Sequence, residues 1–375
     1  MRIGIEAQRI FRTKKHGMDR VVLEVIKQLQ IIDKVNDYFI FVNEGEDRCL
    51  EETANFKIIT FGGNYPLWEQ IKLPKKVKEM KVDLLHCTSN TAPLRIDAKL
   101  VLTLHDIIFL EKNNLLAKGF TPYQKFGNVY RSIVVPRILK HCEKVITVSH
   151  FEKENIKQRL PQIKEKLTVI YNGAHPMFQI IQDQDFLESI KKKYDLRNRF
   201  FFFFGNTDPK KNTPNLIKAY ALYASEAKVP IPLVIVDYSE QLIEEQLRKL
   251  GKLELKKFID VKGYITNTDI PAILNLSECL LYPSQRESFG IPIVEGMACG
   301  TPVITSNTSS MPEIAGDAAL LVDPYSIEEM AQAMHKVEEN KPFINELVAR
   351  GLERAKQFTW LKAAETTLRI YKELL

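Results

Sequence analysis

CLLYPSQRESFGIPIVEGMACG, residues 279 to 300, reads as a strand, a glycine turn and a helix in immediate succession. The apolar run CLLYPS suits a strand buried on both faces. Pro292 suits the first turn of a helix, where its missing N–H costs nothing, and Gly300 suits the position just past the helix end. Ser288, Phe289 and Gly290 then present backbone N–H groups at a helix N-terminus, an anion site that Gly290 lets a ligand approach closely. Two glutamates bracket this turn: Glu287 just before it, and Glu295 about one turn into the helix. A carboxylate in the second position can accept both hydroxyls of a ribose, as an acidic residue does in dinucleotide folds. Either glutamate alone reads as a loop residue or as a partner of the helix dipole. As a pair around a glycine turn after a strand, they point to a nucleotide site.

The same alternation of short apolar runs and helix-period segments continues in both directions, the signature of βαβ units and parallel sheets. In the first half, strands are predicted at 2–7, 37–43, 56–61, 83–88, 100–106, 144–149 and 167–173. Amphipathic segments such as 18–32 and 128–144 lie between them. The pattern breaks near 174–186 and restarts with strands at 199–206, 232–237, 258–264, 279–284, 301–306 and 318–323. The expectation is an α/β protein of two Rossmann-like domains facing across a cleft, 1–178 and 179–357. The tail 358–375 is an amphipathic helix, with Leu361, Ala364, Leu368 and Tyr371 near helical spacing. Ligands of open α/β sheets bind beyond the carboxyl ends of the strands, so the residues just after strands carry the functional signal.

Composition narrows the function classes. The 375 residues are 45% hydrophobic and 27% charged, which describes a globular chain too long for one ordinary core. No run approaches the roughly 20 apolar residues of a membrane span, and the N-terminus lacks a signal-peptide pattern. Cys49, Cys87, Cys142, Cys279 and Cys299 are scattered, odd in number and in no CxxC spacing, as in reduced cytoplasmic thiols. Residues 1–178 carry 29 Lys and Arg against 20 Asp and Glu, and the remainder 24 against 27. That asymmetry fits either ordinary solubility or an anionic partner of the first half, a phosphorylated ligand or the inner face of the membrane. Nucleic acid is not expected, because the basic residues are not interleaved with aromatics in a recognisable module.

With these pieces in place, RESFGIPIVEG resembles the E-x7-E motif of the GT-B glycosyltransferases, in particular family 4 of retaining, nucleotide-sugar-dependent enzymes. GNTDPKKN (205–212) is similar to that family's loop of glycine, basic pair and asparagine. VITSNTSSMPEIAGDAALLVDP (303–324), VITVSHFEKENI (145–156), VIYNG (169–173) and FTWLKAAETTLRIY extend the resemblance over nearly the whole chain. The tail is then the helix that returns to the first domain.

The resemblance implies that Lys211 contacts the donor diphosphate, Glu287 the donor sugar near the reacting carbon, and Glu295 the ribose. The amides of Phe289 and Gly290 would hold phosphate, with Ser288 and Ile291 beside them and Gly205, Asn206 and Lys210 on the facing loop. His105, in LTLHDIIFL (102–110), matches the histidine by the donor sugar, though on its own it reads equally as a residue capping its loop. Gly17, in KKHGMDRVV (14–22), matches a glycine whose backbone approaches the donor phosphate. Asn206 stands where some members carry arginine. The loop Gly17-Met18-Asp19-Arg20-Val21 lacks the second glycine of many relatives.

The functional expectation is a retaining hexosyltransferase moving a mannose- or glucose-type sugar from a GDP or UDP carrier to a carbohydrate or lipid-linked acceptor in surface polysaccharide or glycoconjugate synthesis. No metal and no cofactor are expected. The sequence DQD (183–185) precedes a helix instead of closing an apolar strand and reads as an N-cap. Lys72, Lys75, Lys76, Lys78 and Lys81 fall on one expected helix, which reads as a solvated face or a support for anionic lipid. The alternatives are an epimerase or phosphorylase of the same architecture, or a non-catalytic nucleotide-sugar-binding subunit.

Overall fold

The run Phe200–Phe204 shows why these apolar stretches become strands. Phe201, Phe202 and Phe203 are essentially without solvent exposure, so both faces of the strand are covered, as a central parallel strand requires. The structure is a computed structural model; it describes residues 1–110 and 122–375, with residues 122–125 described by their backbone alone.

The chain divides into two units. The first comprises Met1–Asn172 and Trp360–Leu375, the second Gly173–Thr359. In the first unit the strands are β1 (Arg2–Glu6), β2 (Asp37–Val42), β3 (Phe56–Thr60), β4 (Leu84–Cys87), β5 (Lys99–Thr103), β6 (Cys142–Thr147) and β7 (Leu167–Val169). They form one all-parallel sheet in the order β3-β2-β1-β4-β5-β6-β7. In the second unit β8 (Phe201–Phe204), β9 (Leu233–Val236), β10 (Ile259–Lys262), β11 (Cys279–Tyr282), β12 (Val303–Ser306) and β13 (Leu320–Val322) form another, in the order β10-β9-β8-β11-β12-β13. Both orders reverse direction once. The reversal falls between β1 and β4 in the first unit and between β8 and β11 in the second, and such switch points are where doubly wound sheets leave a crevice for ligand.

The terminal helix Trp360–Leu374 packs against the helix Gly17–Ile32 of the first unit. Its buried stripe of Ala363, Ala364, Thr367, Leu368 and Tyr371 follows the helical period. The Tyr371 hydroxyl lies 2.6 Å from His86 Nδ1 on β4, and His86 Nε2 lies 2.8 Å from Thr103 Oγ1 on β5. Burial, with His105 nearby, holds the His86 pKa down at about 3, so the ring is neutral and both of its nitrogens are engaged.

Two expected helices differ in detail. The segment 128–144 is helical only within Pro122–Ile138, and Cys142–Lys144 already belong to β6. The basic segment 68–81 is not one regular helix: Trp68–Lys72 is a π-helical turn followed by an α-helix over Leu73–Glu79. Asp183 caps the helix Gln184–Lys193, accepting from Phe186 N at 2.9 Å, which accounts for DQD.

Candidate active site

The loops after β8 and β11, at the switch point of the second sheet, are tied to each other residue by residue. Gly205 ends β8 where no side chain fits: a Cβ there would lie 2.6 Å from the Val236 carbonyl oxygen. The chain then passes through Asn206, whose Oδ1 accepts from Asp208 N at 2.7 Å, into a short 3-10 turn over Pro209–Lys211. Asn212 follows in the left-handed conformation (φ 63°) and is almost wholly buried. Its side-chain amide donates to the carbonyls of Pro283 (3.0 Å) and Pro324 (2.6 Å), and its Oδ1 accepts from Gln285 Nε2 at 2.9 Å. Gln285 N donates to the Lys210 carbonyl at 2.7 Å. Asparagine tolerates this backbone region better than most residues, and here its side chain also bridges three loops.

This lacing brings Lys211 to Glu287. Lys211 Nζ lies 2.6 Å from Glu287 Oε1 and 3.1 Å from the Tyr282 hydroxyl at the end of β11. The ammonium also lies 5.1 Å from the centroid of the Tyr282 ring. The two side chains keep 25% and 13% of their exposure, so the pair is half-buried and still reachable. Burial opposes the charge on each, but the partner overrides it. Tyr282 and Glu287 hold the Lys211 pKa above the usual lysine range, and Lys211 holds Glu287 below the usual carboxylate range. Burial and the Glu287 charge push the Tyr282 hydroxyl upward.

The backbone of Glu287 is clamped as firmly. Ser309 Oγ accepts from Glu287 N (2.9 Å) and donates to Glu287 O (2.8 Å), while the Ser310 hydroxyl sits within 3.0 Å of the carbonyls of both Glu287 and Phe289. Phe289 turns its ring into the interior against Phe358, at 5.7 Å between centroids. Gly290 then takes φ +97° as N-cap of the helix Ile291–Ala298, with Pro292 in the first turn. Ser288, Ile291 and Glu295 remain partly exposed around this helix start. Lys210 is ion-paired with Asp208 at 3.6 Å near the surface.

The second unit thus gathers Gly205, Asn206, Lys210, Lys211, Glu287, Ser288, Phe289, Gly290, Ile291 and Glu295 on the two laced loops and the helix they lead into. His105 and Gly17 belong to the first unit. His105 follows β5, is buried, and takes part in its own loop: its N donates to Asn90 Oδ1 at 2.6 Å and its Nε2 lies 3.0 Å from Thr88 O. Burial lowers its pKa. Gly17 is the exposed first residue of the helix Gly17–Ile32, and a Cβ there would meet nothing within 4 Å. Nothing in the local fold requires glycine at that position.

The sequence singled out neither Tyr282 nor the Ser309–Ser310 clamp, and Asn212 only as the closing asparagine of the GNTDPKKN loop. Asn212 carried a signal, as the asparagine between the basic pair and the Thr-Pro that opens the next helix. The serines lie 22 and 23 residues beyond Glu287 and are joined to it only through the sheet order.

Residues 16–177 match the model of glycosyltransferase family 4 and residues 186–357 that of glycosyl transferases group 1, together most of the chain. The chain is 25% identical over 96% of its length to the O-antigen chain mannosyltransferase B of Escherichia coli, of which it covers 96%. It is 28% identical to the O-antigen chain mannosyltransferase RfbU of Salmonella typhimurium, over 64% of this chain and 65% of that protein. Among solved structures, that of Anabaena HepE in complex with UDP and glucose superposes with a TM-score of 0.73 at 19% identity, covering all of both chains. WaaG, a glycosyltransferase of lipopolysaccharide biosynthesis, superposes at 0.74 with 15% identity and 99% coverage of each. This chain belongs to the GT-B glycosyltransferases of group 1, family 4.

Proposed function

We propose that the protein transfers a hexosyl residue, mannosyl in the first instance, from a nucleoside diphosphate carrier to a glycan acceptor during polysaccharide synthesis, with retention of anomeric configuration. The observation that carries this reading is the Lys211–Glu287 pair, 2.6 Å apart at a switch point and beside a helix start opened by a positive-φ glycine. The mannosyl assignment is supported by the O-antigen mannosyltransferases to which the chain is similar.

In this mechanism the bond between the anomeric carbon and the diphosphate oxygen breaks as the acceptor hydroxyl oxygen bonds to the same carbon from the same face. The hydroxyl proton passes to the departing phosphate oxygen. Negative charge grows on the diphosphate, and Lys211 with the amides at Phe289 and Gly290 meets it without reorganising. Before donor arrives, Glu287 neutralises Lys211; the diphosphate then competes for the ammonium and leaves Glu287 to accept hydroxyls of the sugar. Glu295 takes the ribose, and Asn206, Lys210, Ser288 and Ile291 border the nucleotide. The reading needs neither metal nor cofactor. No described helix is long and apolar enough to cross a membrane.

The test is to incubate the purified chain with GDP-mannose or UDP-glucose and a mannoside acceptor, following nucleoside diphosphate release and the anomeric configuration of the product by NMR. An α-linked product from an α-linked donor supports the reading. A β-linked product, or no release with any donor, contradicts it.

A further inference from the structure

The first unit contains a cavity of about 980 Å³ that the donor site does not use. It lies beyond β1 and β4, between the segment Gly63–Ile71 and the helix Pro122–Ile138. Its polar lining is one-sided: Arg9, Arg12 and Arg131 contribute to it, and no described lining residue is acidic. Arg9 is held by Asp19 at 3.4 Å, and Arg131 is anchored to Asn128 Oδ1 at 2.8 Å, so two of the three guanidinium groups are fixed in place. Gln8 also lines the cavity. It is 4% exposed, and its Oε1 is buried without a hydrogen-bond partner.

The opposite wall is aromatic. Phe126 stacks beside Tyr130 at 6.5 Å between centroids, and Tyr65 meets Tyr130 edge-on at 5.6 Å. These rings are oriented from beneath by one buried carboxylate, Glu69, on the π-helical turn Trp68–Lys72. Glu69 accepts from Tyr65 Oη at 2.9 Å, from Tyr130 Oη at 2.6 Å, from Gln70 Nε2 at 2.8 Å and from the Thr91 hydroxyl. Single π-turns inside helices frequently mark functional sites. Here the turn places a carboxylate where it spends its charge on the wall and not on the cavity. Leu67 and Ile71, 39% and 62% exposed, line the same space beside Phe126.

Fixed guanidinium groups recognise phosphate, and an aromatic wall takes the apolar face of a pyranose. We propose that this cavity is the acceptor site of the transferase and that it selects a phosphate-bearing saccharide, with the phosphate among Arg9, Arg12 and Arg131 and the sugar ring on Tyr65, Phe126 and Tyr130. The acceptor role rests on the transferase reading above; the chemistry of the ligand rests on the cavity alone. The phosphate could join the sugar to a lipid or end it, and exposed Leu67, Ile71 and Phe126 offer a surface for the former.

The test titrates the full chain with mannose 1-phosphate, farnesyl phosphomannose, methyl α-mannoside and inorganic phosphate, with GDP and UDP as controls. Mannose 1-phosphate is expected to bind at least tenfold more tightly than the neutral mannoside or inorganic phosphate. The double variant Arg12→Gln/Arg131→Gln should weaken it tenfold or more, with nucleoside diphosphate binding unchanged. Phe126→Ala, at a largely exposed ring, should weaken the sugar phosphate at least threefold and inorganic phosphate not at all. Tighter binding of the farnesyl compound assigns the phosphate to a lipid carrier, and equal binding to a free sugar phosphate; both support the site. Equal affinity for the neutral mannoside, or insensitivity to the arginine variants, overturns it. If sugar phosphate binds as proposed while no nucleoside diphosphate binds at all, the transferase reading fails and the site stands.

Discussion

Lys211 and Glu287, 76 residues apart in sequence, form a 2.6 Å ion pair because β8 and β11 are neighbours in the sheet and Asn212 ties their loops together. Glu287 is depressed in the folded state, so its contribution is present above the ordinary glutamate pKa of about 4.3 and is lost as pH falls through its folded value. Lys211 is raised, so its contribution is complete below about pH 10.4 and is lost only as pH rises through its folded value. The pair is therefore at full strength at neutral pH. Lys211→Ala should destabilise the protein by about 1–3 kcal/mol at pH 7, leaving Glu287 with its burial penalty. Urea denaturation should show that difference shrinking as pH falls through the folded-state pKa of Glu287 in the wild-type protein.

Gly290 and Gly17 should respond oppositely to alanine. At Gly290 the backbone is at φ +97° and a Cβ would lie 3.0 Å from Ile293 Cδ1, so Gly290→Ala should cost about 1–2 kcal/mol. At Gly17 a Cβ meets nothing, so Gly17→Ala should change stability by less than about 0.5 kcal/mol. Yet Gly17→Ala should lower kcat/KM at least tenfold, given the role that the family resemblance implies for the Gly17 backbone. Thermal denaturation and steady-state kinetics separate the two effects.

Asn212 tests what holds the loops together. Asn212→Ala loses two hydrogen bonds to buried carbonyls and keeps an unfavourable left-handed backbone, for an expected loss of about 2–4 kcal/mol. Asn212→Gly relieves the backbone and should recover about 1 kcal/mol of that. Equal stability of the two variants would mean that the left-handed backbone of Asn212 does not contribute to the loss.

The terminal helix supplies a pH signature. His86 is depressed to about 3 from an ordinary value near 6.5, so the stability it lends is present above pH 6.5 and is lost as pH falls toward 3. His86→Asn should flatten that acid loss in part, since buried His105 is depressed as well. Tyr371→Phe, which leaves His86 Nδ1 without its hydroxyl, should cost about 1–3 kcal/mol at pH 7.

The strands were legible because parallel strands are apolar on both faces, and runs such as 200–204 and 279–284 admit few other readings. The helix expected over 128–144 ends at Ile138: buried Leu139 and Cys142 continue its apolar content while Cys142 already belongs to β6, and periodicity alone cannot mark where a buried helix yields to a buried strand. Glu287 could be picked out because it follows a strand and brackets a glycine turn with Glu295, and Lys211 because GNTDPKKN resembles the family's loop. Their partners could not. Tyr282 reads as the last residue of a strand, and Ser309 and Ser310 read as turn residues, until the order β8-β11-β12 brings them together. The cavity lined by Arg9, Arg131 and Tyr130 was hidden for the same reason: its walls come from segments more than 100 residues apart.

The central claim is that Lys211 and Glu287 work on the donor and not merely on the fold. It is tested most directly by the rate of hexosyl transfer in Lys211→Ala, Glu287→Ala and the double variant, each first shown to be folded by circular dichroism. Each single variant is expected to lose at least a hundredfold in kcat/KM, and the double variant little more than the worse single, because the two act as a unit. Transfer at the wild-type rate in either folded single variant would contradict the account.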